Sequence, residues 1–344
     1  MGIFPSERHD GTVWKKSDKW RSKKAGQRLG FTGSVVQIRC DWLALKQMFC
    51  FGGWNALNMC FKCAATKESG PAPYTDVRER ATWRGTRKTL NAFIKELVDK
   101  GIDPSPILSL PGFELWFLIV DVLHAVDLGV VQDAVGSFFF ELVNGKHGFL
   151  EGKTLNERVM TLFSKIEFMY REFKTPCRIQ QLKVDNFKKK KKESKPKLKC
   201  KAAQMRHLVP CLIRLATEFH GHLNSTCSKA ILDMFSRLMD FYMSIGVTNF
   251  DPQVTEDIVQ EFALIYKALT QSREGCPCWF LKPKFHLMQE LSLEAHIAGD
   301  PVNYWTYKDE DFVGVVAGMA TSRGGGVRNP ATIPENVFVR ILSS

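Results

Sequence analysis

The chain has 344 residues, of which 44% are hydrophobic and 24% charged, and it carries a formal net charge of +12. That length and balance belong to a soluble globular protein with a large core, in one large or two ordinary domains, and exclude a small disulfide scaffold. The positive excess points to a polyanionic partner, either nucleic acid or an acidic surface.

The chain opens MGIFPSERHDGTVWKK, too polar for a secretory signal, although MGIFPS matches the myristoylation pattern. Residues 1–33 form a basic segment in which Lys15, Lys16, Arg21, Lys23 and Lys24 alternate with Trp14 and Trp20. Such interleaving suits phosphate contacts with base stacking. Trp54 and Trp83 are better read as core. A short strand is predicted over Ser34–Arg39, delivering Asp41 at its end. A helix over Asp41–Phe51 follows and is closed by Gly52-Gly53.

Cys60-Phe61-Lys62-Cys63 has the two-residue gap that lets two thiolates grip one tetrahedral zinc. A redox pair and two buried small hydrophobes are the other readings. Residues 66–112 are polar around one helix, Thr86 to Asp99, which stops at Lys100-Gly101. A buried strand over Leu115–Val120 then runs into Asp121-Val122-Leu123-His124. Asp121 and His124 on one turn suit a metal or a proton, and the alternative is a hydrogen-bonded core histidine. Glu114, Asp121, His124 and Asp127 interrupt the apolar stretch 113–131, which therefore reads as buried and not as a membrane span.

From residue 131 the periodicity is helical, over 131–143, 154–173, 201–222, 226–245 and 254–271. Lys188, Lys189, Lys190, Lys191 and Lys192 form a charge run within a loop, 188–201, suited to phosphates or nuclear import. Cys276-Pro277-Cys278 precedes a helix over Phe285–Ala298. That helix carries His286 and, one turn later, Glu290, on one face. His286 is the best distant partner for the cysteine pair, with Cys276-Pro277-Cys278 as a rival. Asp309 to Met319 reads as a last helix whose opening Asp309-Glu310-Asp311 would also complement the helix dipole.

These motifs resemble the catalytic region of eukaryotic cut-and-paste DDE transposases, in particular the CACTA (En/Spm) type. That pattern has an Asp shortly before CPxC, then DxMH, then a His-rich segment leading to GGPVxYRWMYPFERY. This chain has Asp41, Cys60-Phe61-Lys62-Cys63, Asp121-Val122-Leu123-His124, Phe285-His286-Leu287-Met288 and the run from Gly299 to Phe312 in that order. DKWRSKKAGQRLGF and YKDEDFVG are also similar to segments of transposase-like proteins of dinoflagellates. The resemblance runs from about residue 17 to about 320.

The resemblance implies an α/β but mostly helical fold: an incomplete RNase H-like core interrupted by a large helical insertion. On that plan residues 34–130 are core, 131–275 are insertion, 276–322 return to the core and 323–344 are tail. Asp41 matches the second catalytic carboxylate and Glu310 the third, with Asp121 as an alternative for the second and His124 its motif partner. Cys60, Cys63 and His286 match a structural zinc clamp, and Glu290 stands where the family has a second histidine. The first catalytic Asp of the family lies upstream, and only Asp10 and Asp18 precede Asp41 here. The resemblance therefore implies a DNA-binding, nuclear protein, with a homodimer among its possible assemblies, using Mg²⁺ or Mn²⁺ weakly or not at all. The rival from another class is a non-enzymatic, zinc-stabilised helical protein whose basic loop binds RNA or an acidic partner.

Overall fold

A computed structural model describes residues 3–7, 11–28, 30, 35–53, 56–186, 195–272 and 278–312. Met1, Gly2, Asp10, Trp54, the run Lys188–Lys192, Cys276 and everything after Phe312 lie outside the described residues, and with them the expectations placed there. The described residues are 57% helix and 4% strand, so the fold is mostly helical.

A short helix α1 (Lys19–Lys24) lies in the basic N-terminal segment. Strand β1 (Ile38–Arg39) leads into helix α2 (Trp42–Phe49). Asp41 is the N-cap of α2, its carboxylate accepting from the Ala44 amide at 2.6 Å. Helix α3 (Leu90–Asp99) is shorter than the predicted Thr86–Asp99. Thr89 caps it, while Arg87 is drawn off into an antiparallel bridge with Cys63. Lys100 and Gly101, the latter at φ 69°, end α3 as the sequence predicts.

Strand β2 (Leu118–Ile119) pairs in parallel with β1, Ile38 opposite Leu118 and Arg39 opposite Ile119. Strand β2 is shorter than its apolar run suggests, because Leu115–Phe117 coils into a 3₁₀ turn. After β2 the chain enters a nine-residue wide-turn (π) segment, Leu123–Val131, which continues without a break into helix α4 (Gln132–Asn144). Wide turns displace backbone carbonyls from their usual partners. Here two lysines meet them: Lys284 donates to the carbonyl of His124 at 2.7 Å, and Lys197 to that of Leu128 at 3.1 Å. Gly129 leaves room for the Lys284 stem, since a Cβ there would sit 2.5 Å from Lys284 Cδ.

Helices α5 (Leu155–Glu172), α6 (Ala202–Leu223), α7 (Thr226–Ser244), α8 (Pro252–Gln271) and α9 (Pro283–Ala298) fall close to their predicted spans. Local chemistry fixes several starts: Thr154 and Glu157 form a reciprocal capping box, and Asp251 followed by Pro252 opens α8. One apolar cluster spans these helices and the wide-turn segment. A second joins α2, α3 and the approach to β2. A third, small one surrounds Cys60 and Cys63 with Met59, Ala65, Ala72, Ala81 and Trp83.

The chain returns from α9 to the strand pair through residues 300–312. Arg39 pairs with Asp309 at 3.1 Å, and Tyr307 donates to Asp127 at 2.6 Å. No helix among the described residues is long and apolar enough to cross a membrane.

Candidate metal centre and carboxylate end

Helix α9 positions the first site. It is buried on every side from Phe285 to Ser292, so it lacks the polar stripe of a surface helix. Its polar residues instead serve three inward ties at four-residue spacing: His286, Glu290 and Glu294 share one face.

His286 and Glu290 meet Cys60 and Cys63, and one ligand atom from each of the four residues lies within 4.8 Å of every other. Cys63 Sγ is 3.4 Å from His286 Nε2, which is 3.5 Å from Glu290 Oε1. All four residues are buried. Two sulfurs, one imidazole nitrogen and one carboxylate oxygen form a tetrahedral donor set of the kind zinc takes. Four buried donors at these separations could hold one metal ion.

The protonation of the group fits that reading. Burial pushes the Cys60 thiol up, but hydrogen bonding from Cys63 and the nearby His286 ring outweigh it, so Cys60 titrates well below the usual thiol range. Cys63, sharing its proton with Cys60 and buried, is pushed far up. Burial opposes the His286 imidazolium, yet the Cys60 thiolate beside it raises the pKa. Cys63 and His286 thus retain protons that a cation would displace. The buried His286 Nδ1 finds no hydrogen-bond partner among the described residues.

The surroundings are basic. Arg87 pairs with Glu290 at 3.2 Å, and the buried Lys62, between the two cysteines, pairs with Glu294. Burial pulls the Lys62 pKa down to about 7. Two thiolates and a carboxylate around a divalent ion leave one net negative charge, which these cations offset. Glu294 also accepts from the Val120 amide at 3.0 Å, so α9 joins the cysteine pair to the end of β2. Trp83, fully buried, stands edge-on to His286, in keeping with its core reading. Cys278 sits away from this group, donating to the Ser137 carbonyl of α4.

The second site lies where β1 and β2 end. Asp41 and Asp121 follow the two parallel strands, and both line one cavity of about 590 Å³ with His124, Lys46 and Lys284. Asp121 is 4% exposed and its two oxygens accept four hydrogen bonds. Thr306 donates its amide and hydroxyl at 2.8 Å each; His124 donates its amide at 3.0 Å and Nδ1 at 2.7 Å. Burial alone would raise the Asp121 carboxyl, and the bonds from His124 and Thr306 hold it below the usual range. His124 Nε2 faces Glu310 Oε1 at 3.3 Å. The structure therefore brings Asp121, His124 and Glu310 together; Asp41 lines the cavity with Asp121 and His124, while Glu310 lines a separate groove.

A groove of about 970 Å³ is lined by Lys183, Lys199 and Lys201 together with Tyr307, Glu310 and Asp311. These lysines flank the Lys188–Lys192 run. In the N-terminal segment Arg21 lies over the Trp14 ring at 5.1 Å, and Trp20 is exposed. Sequence reasoning passed over Lys62, Arg87, Glu294, Thr306 and Lys183, whereas Lys199 and Lys201 belong to the lysine-rich loop it singled out. Of these only Glu294 carried a signal, the i+4 and i+8 spacing from His286 through Glu290.

No family model matches this chain, and no curated protein or solved structure matches it.

Proposed function

We propose that the chain is a transposable-element-derived, DNA-binding protein with the plan of a DDE transposase catalytic region, and that it cuts DNA weakly or not at all. The observation that carries this reading is the pair of parallel strands ending at Asp41 and Asp121, braced by a buried Cys60-Cys63-His286-Glu290 group. In this reading β1 and β2 are the remaining part of an RNase H-like sheet, and α4 to α8 are its helical insertion. Zinc held by Cys60, Cys63, His286 and Glu290 pins α9 to the loop after α2. Nuclear action and self-association belong to the same proposal.

At the carboxylate end, Asp41 and Glu310 are the oxygen donors for Mg²⁺ or Mn²⁺, hard cations that take such ligands. When bound, these ions supply activation of water or a 3′-hydroxyl and stabilise the leaving oxygen. The protein's own part is to hold the strand at that point. Lys183, Lys199 and Lys201 contact backbone phosphates in the groove, and the basic N-terminal segment adds further contacts. Asp121 contributes little cation binding, because its buried Oδ2 already accepts three hydrogen bonds and its Oδ1 one.

Metal analysis of the purified chain tests the first half of the reading. About one zinc per chain is expected, lost in a Cys60→Ser, His286→Ala variant. A folded, zinc-free wild type would overturn the clamp. For the second half, any Mn²⁺-dependent nicking is expected to vanish in both Asp41→Ala and Glu310→Ala, and robust cutting by the wild type would reject the weak-activity proposal.

The full engagement of Asp121 also favours a second reading, a non-enzymatic zinc-stabilised protein that binds RNA or an acidic partner. It requires Glu310→Ala to be silent and deletion of Lys188–Lys192 to abolish binding.

A further inference from the structure

We propose that Trp20 is a stacking platform for an unpaired base, and that the N-terminal segment thereby takes single-stranded nucleic acid in preference to duplex. The proposal rests on the reading of the chain as a nucleic-acid-binding protein and names the form of nucleic acid this segment binds.

The segment is folded back on itself. Ile3 bridges Arg28 and Glu7 bridges Val13, both antiparallel. The Phe4 amide donates to the Gln27 carbonyl at 2.9 Å, and the Gly26 amide to the Phe4 carbonyl at 3.0 Å. Gly26 takes φ 73°, the left-handed conformation that lets the chain reverse just after α1. Helix α1 is therefore clasped between residues 3–4 and 26–28, and the side chains it carries are held in place.

The two tryptophans of this segment are used differently. Trp14 is half-buried: its Nε1 donates to the Pro5 carbonyl at 2.8 Å, and the Arg21 guanidinium covers its ring at 5.1 Å. Trp20 is 62% exposed. It meets Phe4 edge-on, with ring centroids 5.6 Å apart at 89°. That contact anchors the indole, while more than half of its surface stays open for a planar base to lie against. An anchored ring loses little freedom when a base arrives, which favours binding.

Charge brings the strand to this ring. Residues 11–28 hold seven basic side chains and one acid, Asp18. Lys15, Lys16, Lys19 and Lys23 are exposed, and none of them pairs with an acid among the described residues. Lys23 and Lys24, three and four residues on, share the Trp20 face of α1. Cations around an exposed aromatic ring suit a single strand, whose unpaired bases each offer a π-face beside the phosphates. A duplex keeps those faces stacked inside. An anionic membrane would also meet the lysines, but it needs an apolar helix face to enter the lipid. Trp20 is the one apolar residue of Lys19–Lys24.

The test titrates the full chain with oligothymidylate of about 12 nucleotides, within the usual span of single-strand sites, and with a duplex of equal length. Tryptophan emission and the anisotropy of a labelled strand are read together. The single strand is expected to quench the emission. Trp20→Leu keeps apolar packing against Phe4 but has no π-face. It should remove most of the quenching and weaken single-strand affinity about 10- to 100-fold, with duplex affinity unchanged. Trp20→Phe, which retains a ring, should recover most of that affinity by anisotropy. Equal single-strand binding by wild type and Trp20→Leu would overturn the proposal and leave nucleic-acid binding standing. A folded chain that binds neither form would overturn both readings. A blue shift of emission on phosphatidylserine vesicles, lost in Trp20→Leu and without quenching by the oligonucleotide, would give this face to a membrane surface and overturn the proposal as well.

Discussion

The molecule holds two groups of candidate metal ligands, one on α9 and one at the ends of β1 and β2, and they are built in opposite ways. The Cys60-Cys63-His286-Glu290 group is sealed, with every member buried and the neighbouring cations Lys62 and Arg87 turned toward it. The Asp41-Asp121-His124-Glu310 end opens on a cavity and a basic groove, and its outermost member is half exposed. A sealed donor set serves folding, because an unpaired buried charge is costly and a cation relieves it. An open one serves an incoming ligand. Helix α9 touches both, through the Val120 amide bonded to Glu294 and through Lys284 bonded to the His124 carbonyl.

The largest break of this contrast comes from emptying the sealed group. Removing the metal, or substituting Cys63→Ala, is expected to lower the melting temperature by more than ~10 °C, as a structural zinc contributes directly to folding. Glu310→Gln should leave the midpoint unchanged. Thermal unfolding of both variants, with and without a chelator, checks it; equal shifts would erase the distinction between the two groups.

How far each group was legible follows from what holds it. Cys60 and Cys63 sit two residues apart, and His286 and Glu290 one turn apart, so each half of the sealed group is a local pattern. The pairing of the halves across more than two hundred residues was a choice between His286 and the Cys276-Pro277-Cys278 pair, which the family resemblance then narrowed to His286. At the open end the strand that delivers Asp41 and the approach to Asp121 were both expected, but not their parallel pairing. The wide turn over Leu123–Val131 was not legible, because its lysine partners, Lys197 and Lys284, are remote in sequence and its residues suit an ordinary helix. Helix α3 lost its first turn for a similar reason: Arg87 is committed to Cys63 and Glu290 from outside the helix.

The next effect is a pH dependence seated between the two groups. Asp127 is fully buried and accepts from Tyr307 at 2.6 Å and from Tyr242, yet burial pushes its pKa up to about 7. An unfolded aspartate titrates near 3.9. The folded state therefore binds the extra proton between those values, and its contribution to stability is present below pH 4 and lost as pH rises through 7. A tenfold difference in proton affinity is worth about 1.4 kcal/mol, so the loss across that window is on the order of a few kcal/mol. Denaturant unfolding at pH 5 and pH 8 should show the wild type falling and Asp127→Asn falling less. A variant with the wild-type slope would remove Asp127 from the account.

At the open end, the groove lysines should govern salt dependence more than stability. Lys199→Ala with Lys201→Ala is expected to lower the slope of log affinity against log salt by about two for duplex DNA, near 0.9 per lost phosphate contact. The same change at Lys15 and Lys16 gives the comparison for the N-terminal segment. An unchanged slope in the groove variant would detach the groove from nucleic acid.

The smallest effect separates two jobs held by one side chain. Asp41 caps α2 through the Ala44 amide and also lines the cavity with His124. Asp41→Ala removes both functions and should cost about 1 kcal/mol, the usual loss of an N-cap. Asn caps as well as Asp, so Asp41→Asn should regain nearly all of that stability. It nevertheless removes the negative charge that faces the cavity. If Mn²⁺ affinity falls to the same extent in both variants, the charge is what the open end uses. If Asp41→Asn binds Mn²⁺ as the wild type does, Asp41 is a helix cap that happens to border the cavity.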